Sequence, residues 1–122
     1  MADLALLFVD DEIDFLEPLC SRLSRRGVSC TLATSGDVAL GLAAAAAFDC
    51  AIVDVKLPGM DGLELLRRLR REYPGLPVVL LTGHASVELG VEGMDLGAFD
   101  YLLKPIDLDE LLDVVRRAAR RA

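Results

Sequence analysis

Tryptophan is absent from this 122-residue sequence, and aromatic residues of all kinds make up only 5% of it. The core must therefore be aliphatic, and with 53% hydrophobic residues the Leu, Val and Ala needed to build one are present, which excludes a disordered chain. Cysteine is scarce and odd in number: Cys20, Cys30 and Cys50 are widely spaced, form no CxxC pair and sit among apolar or small residues. That pattern excludes a disulfide scaffold and suits buried structural thiols in a reducing cytosol. Basic residues are the minority, 13 Lys and Arg against 20 Asp and Glu, for a formal net charge of -7. Gripping nucleic acid requires clustered cations that neutralise phosphates, so direct nucleic-acid binding by this chain is disfavoured. No long apolar run is present either; the longest stretch free of charge, Val38 to Phe48, is mostly Ala and too short to cross a bilayer. The opening Met1-Ala2-Asp3 lacks the basic patch of a secretory signal. These absences describe a soluble cytoplasmic protein with no membrane partner, of a length that fits one domain.

What is present is a regular alternation. Leu4 to Val9, Cys50 to Val53, Val78 to Leu81 and Tyr101 to Leu103 are short apolar runs, each followed by a polar residue: Asp10, Asp54, Thr82 and Lys104. Strands buried on both faces have this composition. Ser29 to Ala33 alternates more polar with less polar residues and suits a sheet edge. Between these runs the period is helical. Leu16, Leu19, Cys20 and Leu23 share one face of the first such segment, and Leu66, Leu69 and Tyr73 one face of the third. The last places Leu108, Leu111, Leu112, Val115 and Ala119 at core spacing, with acids early and arginines late, as the helix dipole favours. Gly27 is placed to end the first helix in a left-handed conformation, and Tyr73-Pro74-Gly75 ends the third. Pro18 falls about one turn into the first helix, where it is tolerable, while Gly90, Gly93 and Gly97 weaken the fourth and mark it as a mobile segment. The Ala43 to Ala47 run reads as strong helix propensity.

The order is (βα)5: an α/β, doubly wound five-stranded parallel sheet with helices on both faces. In such sheets ligands bind at the carboxyl ends of the strands. Asp10, Asp11, Asp54, Thr82 and Lys104 all fall there, gathering carboxylates, a hydroxyl and an ammonium at one sheet edge. Neighbouring carboxylates repel, and a divalent cation is the usual remedy; Mg²⁺ accepts a few carboxylate oxygens and also holds phosphate oxygens. An Asp54 carboxylate so placed can attack an activated phosphoryl group, with Lys104 and Thr82 serving the charge that develops on its oxygens.

Asp10-Asp11, Asp54 followed by Leu57-Pro58-Gly59-Met60-Asp61-Gly62, then Thr82-Gly83 and Lys104-Pro105, form an ordered set that resembles the response-regulator receiver family of two-component signalling. The resemblance spans about Leu4 to Arg117 and makes residues 1–122 a single receiver domain, with no output domain among them. It implies a flavodoxin-like sheet in the order 2-1-3-4-5, shared with the chemotaxis regulators. It implies that Asp54 is the phosphoacceptor, that Asp10, Asp11, Asp54 and the backbone carbonyl of Lys56 bind Mg²⁺, and that Thr82 and Lys104 contact the phosphoryl group. It further implies a cis Lys104-Pro105 peptide, and a switch role for Tyr101, whose ring turns inward as Thr82 moves. The partners so implied are a cognate histidine kinase or phosphotransfer protein, and an output domain or downstream protein. A homodimer through the fourth helix, last strand and last helix is allowed.

Simpler readings compete. A single Asp at a strand end is most often a helix cap, and only the joint occurrence of the acids with Thr82 and Lys104 outweighs that. His84, the only histidine, reads as solvated, and Arg67, Arg68, Arg70 and Arg71 as a solvated helix face. A phosphohydrolase of the haloacid-dehalogenase type would carry a second Asp two residues after the nucleophile, and Lys56 stands there. A relic site working by protein contacts alone is the third reading, disfavoured by the intact residue set. The module is therefore expected to be no enzyme beyond assisting its own phosphotransfer and slow dephosphorylation.

Overall fold

The computed structural model describes residues 4–121. Five strands, β1 Leu4–Val9, β2 Val28–Ala33, β3 Cys50–Asp54, β4 Val78–Thr82 and β5 Asp100–Leu103, alternate with helices α1 Ile13–Ser24, α2 Gly36–Ala45, α3 Gly62–Glu72, α4 Val87–Asp95 and α5 Leu108–Arg121. A short 3-10 turn, His84–Ser86, precedes α4. All strand pairs are parallel and the sheet order is β2-β1-β3-β4-β5, as expected from the resemblance. No helix among the described residues is long and apolar enough to cross a membrane.

Because alternate strand residues point to opposite faces, the sheet divides its apolar residues between two cores. Leu7, Val9, Val53 and Leu80 pack under α2, α3 and α4, with Ala39, Leu66 and Leu69. Leu6, Phe8, Ile52 and Leu81 pack on the other side under α1 and α5, with Leu16, Leu23, Leu111 and Val115. Each fully buried leucine or phenylalanine contributes about 1.5–3 kcal/mol. The central β3 and β4 are buried throughout, whereas β2, at the edge, is partly exposed from Ser29 to Leu32. On α5 the buried stripe is Leu111, Leu112, Val114, Val115 and Ala118, so Val114 and Ala118 are buried where the core spacing predicts Leu108 and Ala119, which are half-buried. An i, i+3, i+4, i+7 stripe from Leu111 explains the shift.

The helix boundaries have local causes. Ser35 caps α2 by accepting from the Val38 N–H at 3.2 Å, and Asp61 caps α3 by accepting from the Glu64 N–H at 2.9 Å. Asp107 does the same for Asp109 and Glu110 at the start of α5. Pro18 lies inside α1, and Gly27 takes φ 83° shortly after that helix ends. The alanine run stops short of expectation: α2 ends at Ala45, and Ala46 is already extended because the chain must turn back into β3. There the Asp49 carboxylate accepts from the Ala5 N–H at 2.7 Å and ties the turn to β1. The glycines of α4 have a packing role that their low helix propensity hid. A Cβ on Gly93 would overlap the Leu80 side chain, and one on Gly90 would press on Tyr101. Among the cysteines only Cys50 is buried; Cys20 and Cys30 are half-buried, a departure from the expectation of three buried thiols. The reason is position, since Cys30 lies on the edge strand.

Candidate functional site

The sheet registers bring the strand ends together. Val9 pairs with Val53, Asp54 with Leu81, and Thr82 with Leu103, so Asp10, Asp54, Thr82 and Lys104 stand along one edge. Asp10 and Thr82 are fully buried and Asp54 is 6% exposed. Each acidic side chain is oriented by its own turn: Asp10 Oδ1 accepts from the Glu12 N–H at 3.0 Å, and Asp54 Oδ1 from the Lys56 N–H at 2.9 Å. Capping-type bonds therefore do occupy one oxygen of each carboxylate. The other oxygen faces Lys104.

Lys104 Nζ lies 3.0 Å from Asp54 Oδ2, 3.0 Å from Glu12 Oε1 and 3.3 Å from Asp10 Oδ2. The last approach lacks hydrogen-bond alignment, and Asp10 Oδ2 is buried with no hydrogen-bond partner among the described residues. The ammonium also sits 5.5 Å from the centre of the Phe15 ring. Partial burial opposes the charge on Lys104, but bonds to Glu12 and Asp54 and the field of Asp54 and Asp10 outweigh it and push its pKa above the ordinary lysine value. Burial pushes the Asp10 carboxyl up from its ordinary value; the Asp54 charge adds to this, and the Glu12 N–H and Lys104 act against it.

Carboxylate oxygens of Asp10, Glu12 and Asp54 all lie within 4.8 Å of one another. Three acids thus share one ammonium and leave excess negative charge in a mostly buried recess. An orphaned Asp10 oxygen and a surplus of hard oxygen donors are what a divalent cation of the Mg²⁺ type would relieve. The residues fit such an ion.

Other expected residues lie near but apart from this cluster. Asp11 is exposed just past β1 and is not in the group of acids whose oxygens lie within 4.8 Å of one another. Lys56 is exposed in the loop after β3. Thr82 Oγ1 donates to the Gly83 carbonyl at 3.1 Å, and the Lys104 N–H donates to the Thr82 carbonyl at 2.8 Å. The Lys104-Pro105 peptide is cis. Tyr101 is half-buried on β5 with its ring against Gly90. Arg67 and Arg68 pair with Glu64 on an exposed face, while the His84 side chain lies outside the described residues.

Compared with known protein families, residues 6–116 match the model of the response regulator receiver domain. The chain belongs to that family. This receiver domain is 38% identical over 110 residues to the DNA-binding transcriptional regulator NtrC of Salmonella typhimurium, covering 90% of this chain and 24% of that protein. It is 40% identical over 116 residues to the uncharacterized transcriptional regulatory protein YkoG of Bacillus subtilis, covering 95% of this chain and 51% of that one. Its structure resembles the receiver domain of NtrX from Brucella abortus with a TM-score of 0.90 at 34% identity, covering 96% of this chain and 99% of that domain. The chain thus spans from a quarter to half of these two curated relatives, and receiver domains are regulatory modules.

Four residues of the receiver site escaped the sequence reading. Glu12 was hidden by the preference for the Asp10-Asp11 pair, although three acids in a row at a strand end signalled it. Phe15, whose ring meets the Lys104 ammonium, carries no sequence signal for that contact. Gly62 lies in the quoted Leu57 to Gly62 stretch, but its reason is three-dimensional: a Cβ there would overlap the Asp54 carbonyl and the Val55 backbone. Gly90 read only as a weak helix position, and its contact with Tyr101 and Thr82 has no sequence signal.

Proposed function

We propose that this receiver domain takes a phosphoryl group onto Asp54 from the phosphohistidine of a cognate histidine kinase or phosphotransfer protein, with Mg²⁺ bound beside it, and changes shape to control an output domain or partner protein. The observation that carries this reading is the imbalance at the sheet edge among the described residues: Asp10, Glu12 and Asp54 crowd within 4.8 Å, Lys104 alone offsets them, and one Asp10 oxygen has no hydrogen-bond partner.

Asp10, Asp54, the Lys56 carbonyl and Asp11 would hold the metal, with Glu12 adding negative charge at its rim. When bound, Mg²⁺ offsets the excess carboxylate charge and takes one oxygen of the phosphoryl group. The chain's own groups do the rest. The Lys56 N–H pins Asp54 Oδ1, so Oδ2 is the attacking atom. Its bond to phosphorus forms as the phosphorus–nitrogen bond of the donor breaks, and the electron pair stays on the imidazole nitrogen. Lys104, already 3.0 Å from Oδ2, follows the charge onto a phosphoryl oxygen. The Thr82 hydroxyl exchanges its local bond to the Gly83 carbonyl for another phosphoryl oxygen.

Thr82 displacement frees space beside Gly90, into which the Tyr101 ring turns, and the change is read on the surface of α4, β5 and α5. Val91, Met94 and Leu103, 51%, 39% and 36% exposed, give that surface an apolar character suited to an output domain or a second copy of the chain. We read residues 1–122 as one receiver domain acting in the cytoplasm, with no direct contact to nucleic acid or membrane. It assists its own phosphotransfer and slow dephosphorylation and turns over no external substrate.

Intact-mass spectrometry after incubation with Mg²⁺ and acetyl phosphate or phosphoramidate tests this, on the wild type and Asp54→Asn. One phosphoryl group gained by the wild type alone is the expected result. Equal labelling of Asp54→Asn, or none of the wild type even by a phosphohistidine protein, overturns it.

A further inference from the structure

The amphipathic face of α1 that covers the sheet carries Leu16, Leu19 and Leu23, and Cys20 lies beside them at helical spacing. On β2, Cys30 is paired in register with Leu6, which belongs to the same core as those leucines, so the Cys30 side chain points to the α1 layer. The two side chains thus share the layer where α1 packs on β2, near enough to perturb one another's thiol, and both are half-buried. Cys50 differs on each count, being fully buried on the central β3.

We propose that Cys20 and Cys30 form a redox modification site, closing to a disulfide that ties α1 to β2 on exposure to a small-molecule disulfide such as oxidised glutathione. In the first step the Cys20 thiolate attacks a sulfur of the oxidant, and one glutathione leaves as its thiolate. In the second the Cys30 sulfur attacks the Cys20 side of the mixed disulfide and expels the second glutathione. The two electrons and two protons of the cysteine thiols end on two molecules of reduced glutathione.

The electrostatics suit this order: the nearby Cys30 thiol pulls the Cys20 thiol below its ordinary range and is itself pushed above, while burial pushes Cys50 up to about 12. The bridge would join the two elements that flank Asp10. The Asp10 N–H donates to the Ala33 carbonyl at the end of β2, and Glu12 and Phe15, at the start of α1, meet Lys104.

The test treats reduced full chain, wild type and Cys20→Ser, Cys30→Ser and Cys50→Ser, with oxidised glutathione. Wild type and Cys50→Ser are expected to lose about 2 Da, while Cys20→Ser and Cys30→Ser stop at a single glutathione adduct or do not react. Trypsin cuts after Arg22, Arg25 and Arg26, and Asp-N cuts before Asp37 and Asp49, so a double digest puts the three cysteines on separate peptides, and those of Cys20 and Cys30 stay joined only if bridged. That peptide map needs no variant and holds even if a serine variant misfolds. Persistent glutathione adducts on the wild type, no reaction, or a bridge involving Cys50 would each overturn the proposal.

Discussion

Gly62 and Gly90 each bring a helix hard against a strand that ends at the site, yet they press on different kinds of atom. A Cβ on Gly62 would overlap the Asp54 carbonyl oxygen and the Val55 Cα, which are backbone. A Cβ on Gly90 would lie 3.0 Å from Tyr101 Cδ2, 3.1 Å from its Cγ and 3.4 Å from the Thr82 methyl, which are side chains. Backbone inside a parallel sheet has nowhere to go, because its hydrogen bonds fix it on both sides. Rotatable side chains can yield. The Asp54 end of the sheet is therefore clamped by α3, and the Thr82 end is closed by side chains that can yield. Under the proposed function, a site that holds its nucleophile still while transmitting a change outward needs that division.

The largest effect expected from this comparison belongs to Gly62→Ala. The added methyl meets backbone, so α3 must back away from β3 at a cost of roughly 3 kcal/mol, lowering Tm by about 10 °C. A thermal melt of the metal-free domain checks this. A Tm within a degree or two of wild type would mean that α3 is not clamped, and the comparison would fail on its rigid side.

Asp10→Asn sharpens the same picture from the charge side. Burial and the Asp54 charge raise the folded-state pKa of Asp10 above 3.8, so folding takes up a proton there. The stabilising contribution is fully present below that ordinary value and is lost as pH rises through the folded pKa. At neutral pH the ionised, partly unpaired carboxylate is a burden, and Asp10→Asn is expected to stabilise the metal-free domain by about 1 kcal/mol. The advantage of the variant over wild type should grow as pH climbs from about 4 toward neutrality. Millimolar Mg²⁺ should reverse the ranking, raising the Tm of wild type more than that of Asp10→Asn, as binding to the folded state alone requires. Melts across pH in chelator and in Mg²⁺ read both signs.

Strand ends and their polar residues were legible because apolar runs closed by Asp10, Asp54, Thr82 and Lys104 reflect a parallel sheet whose central strands are covered on both faces and whose polar groups gather at its carboxyl edge. Even the edge position of β2 was visible in its alternation. Turn geometry was harder: that the Glu12 carboxylate reaches Lys104 depends on the turn closed by the bond from the Glu12 N–H to Asp10, which no spacing rule supplies. Contacts across the sheet were not legible at all. Gly90 and Tyr101 are eleven positions apart, and nothing in either residue type names the other; only the packing of α4 on β5 makes them neighbours.

Gly90→Ala is the mildest of these changes in stability and the most pointed in its consequence. Alanine improves the helix by up to about 1 kcal/mol, while the Tyr101 ring, met at 3.0 Å, must give way at a similar cost, so Tm should stay within roughly 4 °C of wild type. The ring itself should not stay where it is. With the tyrosines isotopically labelled, the Tyr101 ring resonances are expected to shift in Gly90→Ala while those of Tyr73, at the end of α3, remain unmoved. If instead Tm fell as far as in Gly62→Ala, the Thr82 end would be as rigid as the Asp54 end, and the proposed switch would have to be carried by another part of the domain. If Tm held and the Tyr101 resonances moved, the α4 side would be the yielding wall, and the room beside Gly90 would set which way the ring can turn.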